Sequence, residues 1–213
     1  MMLFQLVKKD FLLVKKYVLI MMGLCIILPP FLISSIPEYA GVMGFVLIAI
    51  YSVFMLLQYV ILKETQSPKA SALLCALPYS RKDFVLSKYV FCLIIYLACC
   101  LFFGFETLVF PQLGSLGVTM PVMLFLVISL ILSVYLPVHY KLGCDKTKIL
   151  FAIVIMAFSF VFPQIIKIKS SLSINFLLLL NPAILIGGAI ILSIIILMVS
   201  VTISMKIYKK VDL

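Results

Sequence analysis

Long runs without a charged residue divide the chain, and short clusters of lysine and arginine separate them. The uncharged runs are 17–37, 39–62, 89–105, 107–138, 149–166 and 170–205. Crossing about 30 Å of hydrocarbon as a helix takes roughly 20 apolar residues, so most of these runs read as one span each. The run 107–138 is too long for one simple span, and Pro111, Gly114, Gly117 and Pro121 mark a turn in its first half. Its second half, 120–138, is the fourth span. In 170–205 the Asn181–Pro182 pair interrupts the run, which leaves 182–204 as a span and 172–180 as a short re-entrant or interfacial piece. Six spans result. Strict alternation of polar and apolar residues, the mark of a membrane barrel, appears over no useful length. The expected fold is all-α: a polytopic membrane protein, with residues 1–213 forming a single transmembrane domain.

The basic residues orient these spans. Lys8, Lys9, Lys15 and Lys16 precede the first, and Lys63, Lys69, Arg81, Lys82 and Lys88 lie between the second and third. Lys141, Lys146 and Lys148 separate the fourth and fifth, and Lys206, Lys209 and Lys210 end the chain. The opposite face holds only Lys167 and Lys169. Cytoplasmic loops carry the excess of lysine and arginine, so both termini are expected in the cytoplasm and the protein in the cell membrane.

Two cytoplasmic segments carry a pattern of their own. On a helical wheel of residues 3–16, Leu3, Phe4, Val7, Phe11 and Val14 share one side and Gln5, Lys8, Lys9, Lys15 and Lys16 the other, while Asp10 and Leu12 fit poorly. This reads as a helix lying in the membrane interface; the alternative is a plain extension of the first span. In the loop 63–88, Ser67 suits an N-cap and Pro68 a first helical position. A short helix over 68–77 then spaces Ala70, Leu73, Leu74 and Leu77 along one face, and Pro78 stops it. Ser80 and Asp83, either side of Arg81 and Lys82, have the spacing of a capping box that opens a new helix into the third span. An apolar face on a cytosolic loop wants a partner.

Composition sharpens this picture. The 213 residues are 66% hydrophobic and 11% charged, with a mean hydropathy of +1.35, too little polar surface for a soluble domain of this length. A formal charge of +10 in a soluble protein would point to nucleic acid. Here the clusters between apolar runs serve orientation and contact with anionic lipid, and no nucleic-acid partner is expected. The six cysteines form no CxxC pair and read as small packing residues.

Catalytic chemistry is missing. The single histidine, His139, stands beside Tyr140 and Lys141 at a span end, and no H-E-x-x-H, G-x-S-x-G or P-loop occurs. The chain is therefore not expected to be an enzyme, and no cofactor or metal is implied. Ionisable groups are nearly missing from the apolar runs, where coupled carriers place them. Glu106 is the one candidate, as a pathway residue or as a headgroup-level residue at a helix end. Gln58 and Asn181 are the other pathway candidates, and helix packing explains them equally well.

Taken together, the basic amphipathic start around Leu6, Val7, Lys8, Lys9, Asp10 and Phe11, the six spans, and the loop with Leu77, Pro78, Tyr79, Ser80, Arg81, Lys82 and Asp83 followed by Ser87, Lys88 and Tyr89 resemble the small permease subunits of type-2 ABC exporters in Gram-positive bacteria. The resemblance implies a permease that pairs as a homodimer or as a heterodimer with a related permease, each half docked on a separate cytosolic ATP-binding-cassette subunit. The helix over 68–77 would be its coupling helix, with Pro68, Ala70, Leu73, Leu74, Leu77, Pro78, Ser80, Arg81 and Asp83 joining it to the ATPase. Segment 1–16 would be the interfacial elbow helix. Export of a peptide, antimicrobial or other amphipathic compound is the implied function; a membrane immunity or scaffold protein is the rival, and a secondary transporter lacks its coupling carboxylates and inverted repeats.

Overall fold

A computed structural model describes residues 2–35, 40–66, 81–110, 113, 117–143, 147, 153, 156 and 182–210. These residues form six long helices: α1 (Met2–Leu13), α2 (Lys15–Ser35), α3 (Ala40–Gln66), α4 (Arg81–Val109), α5 (Thr119–Leu142) and α6 (Pro182–Lys210). Five of them, α2 to α6, are long and apolar enough to cross a membrane. Helices are what a bilayer core demands, because only they satisfy every backbone N–H and C=O within one segment. The predicted fifth span, 149–166, lies outside the described residues apart from Ile153 and Met156, both helical and exposed.

The helices overrun the uncharged runs at their charged ends. The third span, expected over 89–105, is a helix from Arg81 to Val109, with Asp83 in its first turn, where a carboxylate favours the positive end of the helix dipole. The second, expected to stop at Leu62, carries Lys63 and Glu64 to its end at Gln66. Of loop 63–88, the start of α4 at Arg81 agrees with the new helix expected from the capping-box spacing, Lys63 to Gln66 continue α3, and the expected coupling helix at 68–77 lies outside the described residues. Pro29 and Pro30 sit inside α2 without ending it, although each removes a backbone donor.

The chain divides into two compact units, Met1–Ile128 and Ser129–Leu213. In the first, α1 packs on α4, α4 on α3, and α3 on α2. Aromatic pairs join these faces: Phe11 meets Phe91 at 4.8 Å, Tyr17 stacks on Tyr59 at 3.8 Å, and Phe45 meets Phe103 at 5.2 Å. α3 is the most enclosed span, burying Phe45, Val53, Phe54, Leu57 and Val60. The Tyr96 hydroxyl donates to the Pro121 carbonyl at the head of α5. In the second unit, the Ser200 hydroxyl donates to the Ser133 carbonyl at 3.2 Å. Ala189, Ser193, Ser200 and Ser204 form the buried face of α6, while Ile184, Ile191, Ile195 and Met198 are exposed, a division that suits close helix packing within lipid. Gly143, at φ +80°, closes α5 by donating its N–H to the His139 carbonyl at 3.0 Å, a left-handed position that glycine takes without strain.

The sharpest steric constraint in the first unit is at Gly41, where a Cβ would overlap the backbone carbonyl of Leu113. A backbone oxygen cannot swing aside as a side chain can. Gly41→Ala is therefore expected to cost about 1–3 kcal/mol, the range for overpacking. Thermal unfolding of the purified protein in detergent checks this, and an unchanged midpoint would mean that Leu113 does not pack against the start of α3.

A buried charge cluster as the candidate functional site

Four ionisable side chains from three helices meet at one end of the first unit. Lys88, in the second turn of α4, places its Nζ 3.0 Å from Asp10 Oδ1 on α1 and 2.8 Å from Glu64 Oε1 on α3. Lys9 Nζ reaches the same Glu64 oxygen at 2.6 Å and Asp10 Oδ1 at 3.4 Å. The Phe84 ring lies beneath both ammoniums, 5.0 Å from Lys88 Nζ and 5.3 Å from Lys9 Nζ, within the range of a cation–π contact. Two ammoniums and two carboxylates make the cluster formally neutral.

Burial is what separates this cluster from a surface ion pair. The side chains of Asp10 and Lys88 are 0% and 2% exposed, and the same helix faces bury Leu6, Val7, Val60, Ile61 and Val85. Burial pushes the Asp10 carboxyl above its ordinary 3.8, and the pull of Lys88 does not fully restore it; Asp10 Oδ2 is buried with no hydrogen-bond partner among the described residues. Burial also works against the Lys9 ammonium, but Glu64 and Asp10 outweigh it and hold its pKa above the usual 10.5. Lys9 therefore contributes stability that is complete below 10.5 and is lost as pH rises through its higher folded value. For Asp10 the sign favours the protonated form: its contribution is full below 3.8 and declines as pH rises through the raised value. At neutral pH its ionised form depends on Lys88.

The cluster lies at the stems of segment 67–80. Glu64 is in the last turn of α3, two residues before its end, and Lys88 follows the start of α4 by seven residues, about 10 Å of helix rise. α1 is held to both stems at once. From Lys88, seventeen residues without a charge lead along α4 to Glu106, about 27 Å of helix, close to the thickness of a hydrocarbon core. The cluster and Glu106 therefore mark the two ends of one membrane span.

This geometry adds to the sequence reading at two points. The side of α1 packed on the protein runs through Leu6, Val7, Asp10 and Val14, while Phe4 is 73% exposed, as a residue facing the membrane interface would be. Asp10, the misfit on the wheel, is the residue around which α1 docks. Lys88, counted among the cytoplasmic charges, is a buried residue of α4. The signal that would have found the cluster was that misfit, together with a carboxylate and an amine at the ends of two adjoining spans.

The residues singled out from the sequence are placed as follows. Pro68, Ala70, Leu73, Leu74, Leu77, Pro78, Ser80 and Asn181 lie outside the described residues. Arg81 opens α4, Asp83 is half-buried in its first turn, and Gln58 is half-buried on α3. Both carboxylate oxygens of Glu106 are buried without a hydrogen-bond partner among the described residues.

An all-helical chain with this many apolar spans is a polytopic membrane protein. A family model described as ABC-2 family transporter protein matches residues 5–209. The chain belongs to that family, whose members of this kind are the transport subunits of ABC systems, and α2 to α6 are its candidate spans. No curated protein and no solved structure matches the chain.

Removing Lys88 leaves the buried Asp10 and the partly exposed Glu64 with only Lys9 to share, and breaking a buried ion pair from one side typically costs 3–5 kcal/mol. Lys88→Met is thus expected to destabilise by about 3–5 kcal/mol. Asp10→Asn should cost clearly less, since burial already favours its neutral form and Glu64 still meets Lys88. Adding Asp10→Asn and Glu64→Gln to Lys88→Met should recover part of the loss. Denaturant unfolding in matched detergent measures all four proteins, and equal losses for Lys88→Met and Asp10→Asn would contradict the arrangement.

Proposed function

We propose that the chain is a six-span permease subunit of an ATP-driven exporter, acting as one membrane domain over residues 1–213 and paired with a second permease copy or relative. ATP is hydrolysed on a separate cytosolic ATP-binding-cassette subunit. The observation that carries this reading is the family match over residues 5–209. The charge distribution supports cytoplasmic termini and a cytoplasmic segment 67–80. On this reading Pro68, Ala70, Leu73, Leu74 and Leu77 dock on the ATPase, Pro78 and Ser80 set the turn, and Arg81 and Asp83 start the lever formed by α4. The charge cluster then binds α1 to both stems of the docking loop, so a push on the loop moves α1, α3 and α4 together. The shortness of 167–181 supports a small amphipathic cargo, such as a peptide or antimicrobial, with Gln58, Glu106 and Asn181 along its route.

The docking claim has a direct test. A fully buried leucine contributes about 1.5–3 kcal/mol, and a micromolar complex is held by roughly 8 kcal/mol. The Leu73→Asp, Leu74→Asp double variant is therefore expected to insert normally and fail to co-purify with the cognate ATPase. Arg81→Ala should keep the complex and lower its hydrolysis rate. Undiminished recruitment by the double variant at matched membrane expression would mean that the loop docks elsewhere.

A further inference from the structure

Away from the charge cluster, a cavity of about 110 Å³ lies between α2, α3 and α4. α2 packs chiefly on α3 and only lightly on α4, and the cavity occupies the gap that remains. Met21 walls it from α2, Leu56 from α3, and Ile95 and Cys99 from α4. Met22, Ile94 and Phe102 also line it. These three are 41%, 39% and 38% exposed, so the cavity opens sideways, toward the hydrocarbon that surrounds a span. Glu106 extends the α4 wall. It follows Cys99 and Phe102 by seven and four residues, which puts it on the same side of the helix, about 6 Å beyond Phe102. Both of its carboxylate oxygens are buried with no hydrogen-bond partner among the described residues.

We propose that this slot binds a cationic single-chain amphiphile, its alkyl tail between α2 and α4 and its ammonium on Glu106. Polarity orders the site. An apolar slot in mid-span leads to a carboxylate at the span end remote from the charge cluster, as an amphiphile's tail leads to its head. Size selects the tail. The cavity is smaller than the roughly 150 Å³ site that takes up a benzene, so a slim unbranched chain enters and a ring does not. The rest of a longer tail leaves through the mouth formed by Met22, Ile94 and Phe102. Charge selects the head. An ionised carboxylate out of water is costly unless it is paired, and an ammonium brings one positive charge and three donors to its two oxygens. A neutral alcohol with the same tail leaves that charge unmatched. That the amphiphile is the cargo rests on the permease reading; that it binds here does not.

Scintillation-proximity binding of tritiated dodecylamine to the immobilised full-length chain in neutral maltoside detergent tests the site. Binding should saturate, and unlabelled dodecylamine should displace the label at a concentration about tenfold or more below that needed for dodecanol, as a charge-assisted hydrogen bond implies. Glu106→Gln keeps the shape of the side chain and removes its charge. It should weaken dodecylamine by about tenfold or more and abolish the preference over dodecanol. Ala98→Leu, which fills the slot from α4, should weaken both probes together; if that variant does not fold, Glu106→Gln carries the test alone. Absence of saturable binding overturns the proposal. So does equal displacement by amine and alcohol, a preference that survives Glu106→Gln, or unchanged affinity in a folded Ala98→Leu chain. Because the ATPase is left out of this assay, a chain that recruits its ATPase yet shows no amine preference loses this inference and keeps the export reading.

Discussion

An amine buried among apolar helices needs carboxylates close at hand, and Lys88 obtains them from two other helices. Asp10 and Glu64 lie 3.0 and 2.8 Å from its Nζ. Much of the first unit follows from this requirement. α1 must lie where Asp10 reaches α4, and α3 must carry Glu64 beyond its apolar run to the same point. Lys9 completes the neutrality through Glu64 at 2.6 Å. Such a cluster is a poor source of net stability, because desolvation offsets most of the attraction. What it provides is specificity: the wrong register of α1 against α4 would leave a buried charge unpaired.

That specificity gives the proposed mechanism its mechanical sense. Segment 67–80 connects Gln66 to Arg81, and the helices at both of its ends converge on one set of ion pairs. Aromatic contacts extend the join, with Phe11 against Phe91 and Tyr17 on Tyr59. A load on the segment would therefore be shared by α1, α3 and α4 before it reached the apolar parts of the spans. At the other end of α4, Glu106 has no counterpart to Lys88 among the described residues, and the two ends of this span differ accordingly in chemistry.

The spans were legible in the sequence because a bilayer imposes a simple rule: uncharged runs of sufficient length become helices. The rule locates the middle of each helix and is silent about its ends. α4 begins eight residues before the run at Tyr89, and it is the capping-box spacing of Ser80 and Asp83, not the apolar run, that marks this start. Counting Lys88 among the orienting charges says nothing of whether it is buried. Its partners are 24 and 78 residues away in the chain, a separation that no local pattern encodes. Asp10 left a trace as a misfit on the wheel of α1. A wheel records which residues share a side, but docking against α4 decides which side is covered.

The central claim is that α1, α3 and α4 respond to the ATPase as one body, held by the Lys88 cluster. Pulsed electron-spin distance measurement between labels at Leu12 on α1 and Ile94 on α4, both exposed, tests it most directly in the complex with the nucleotide-binding subunit. In the otherwise native permease the distance should stay the same with and without ATP. In the Lys88→Met, Asp10→Asn, Glu64→Gln variant it should broaden or shift when ATP binds. A shift in the otherwise native permease would show that α1 moves independently of α4 and would contradict the account.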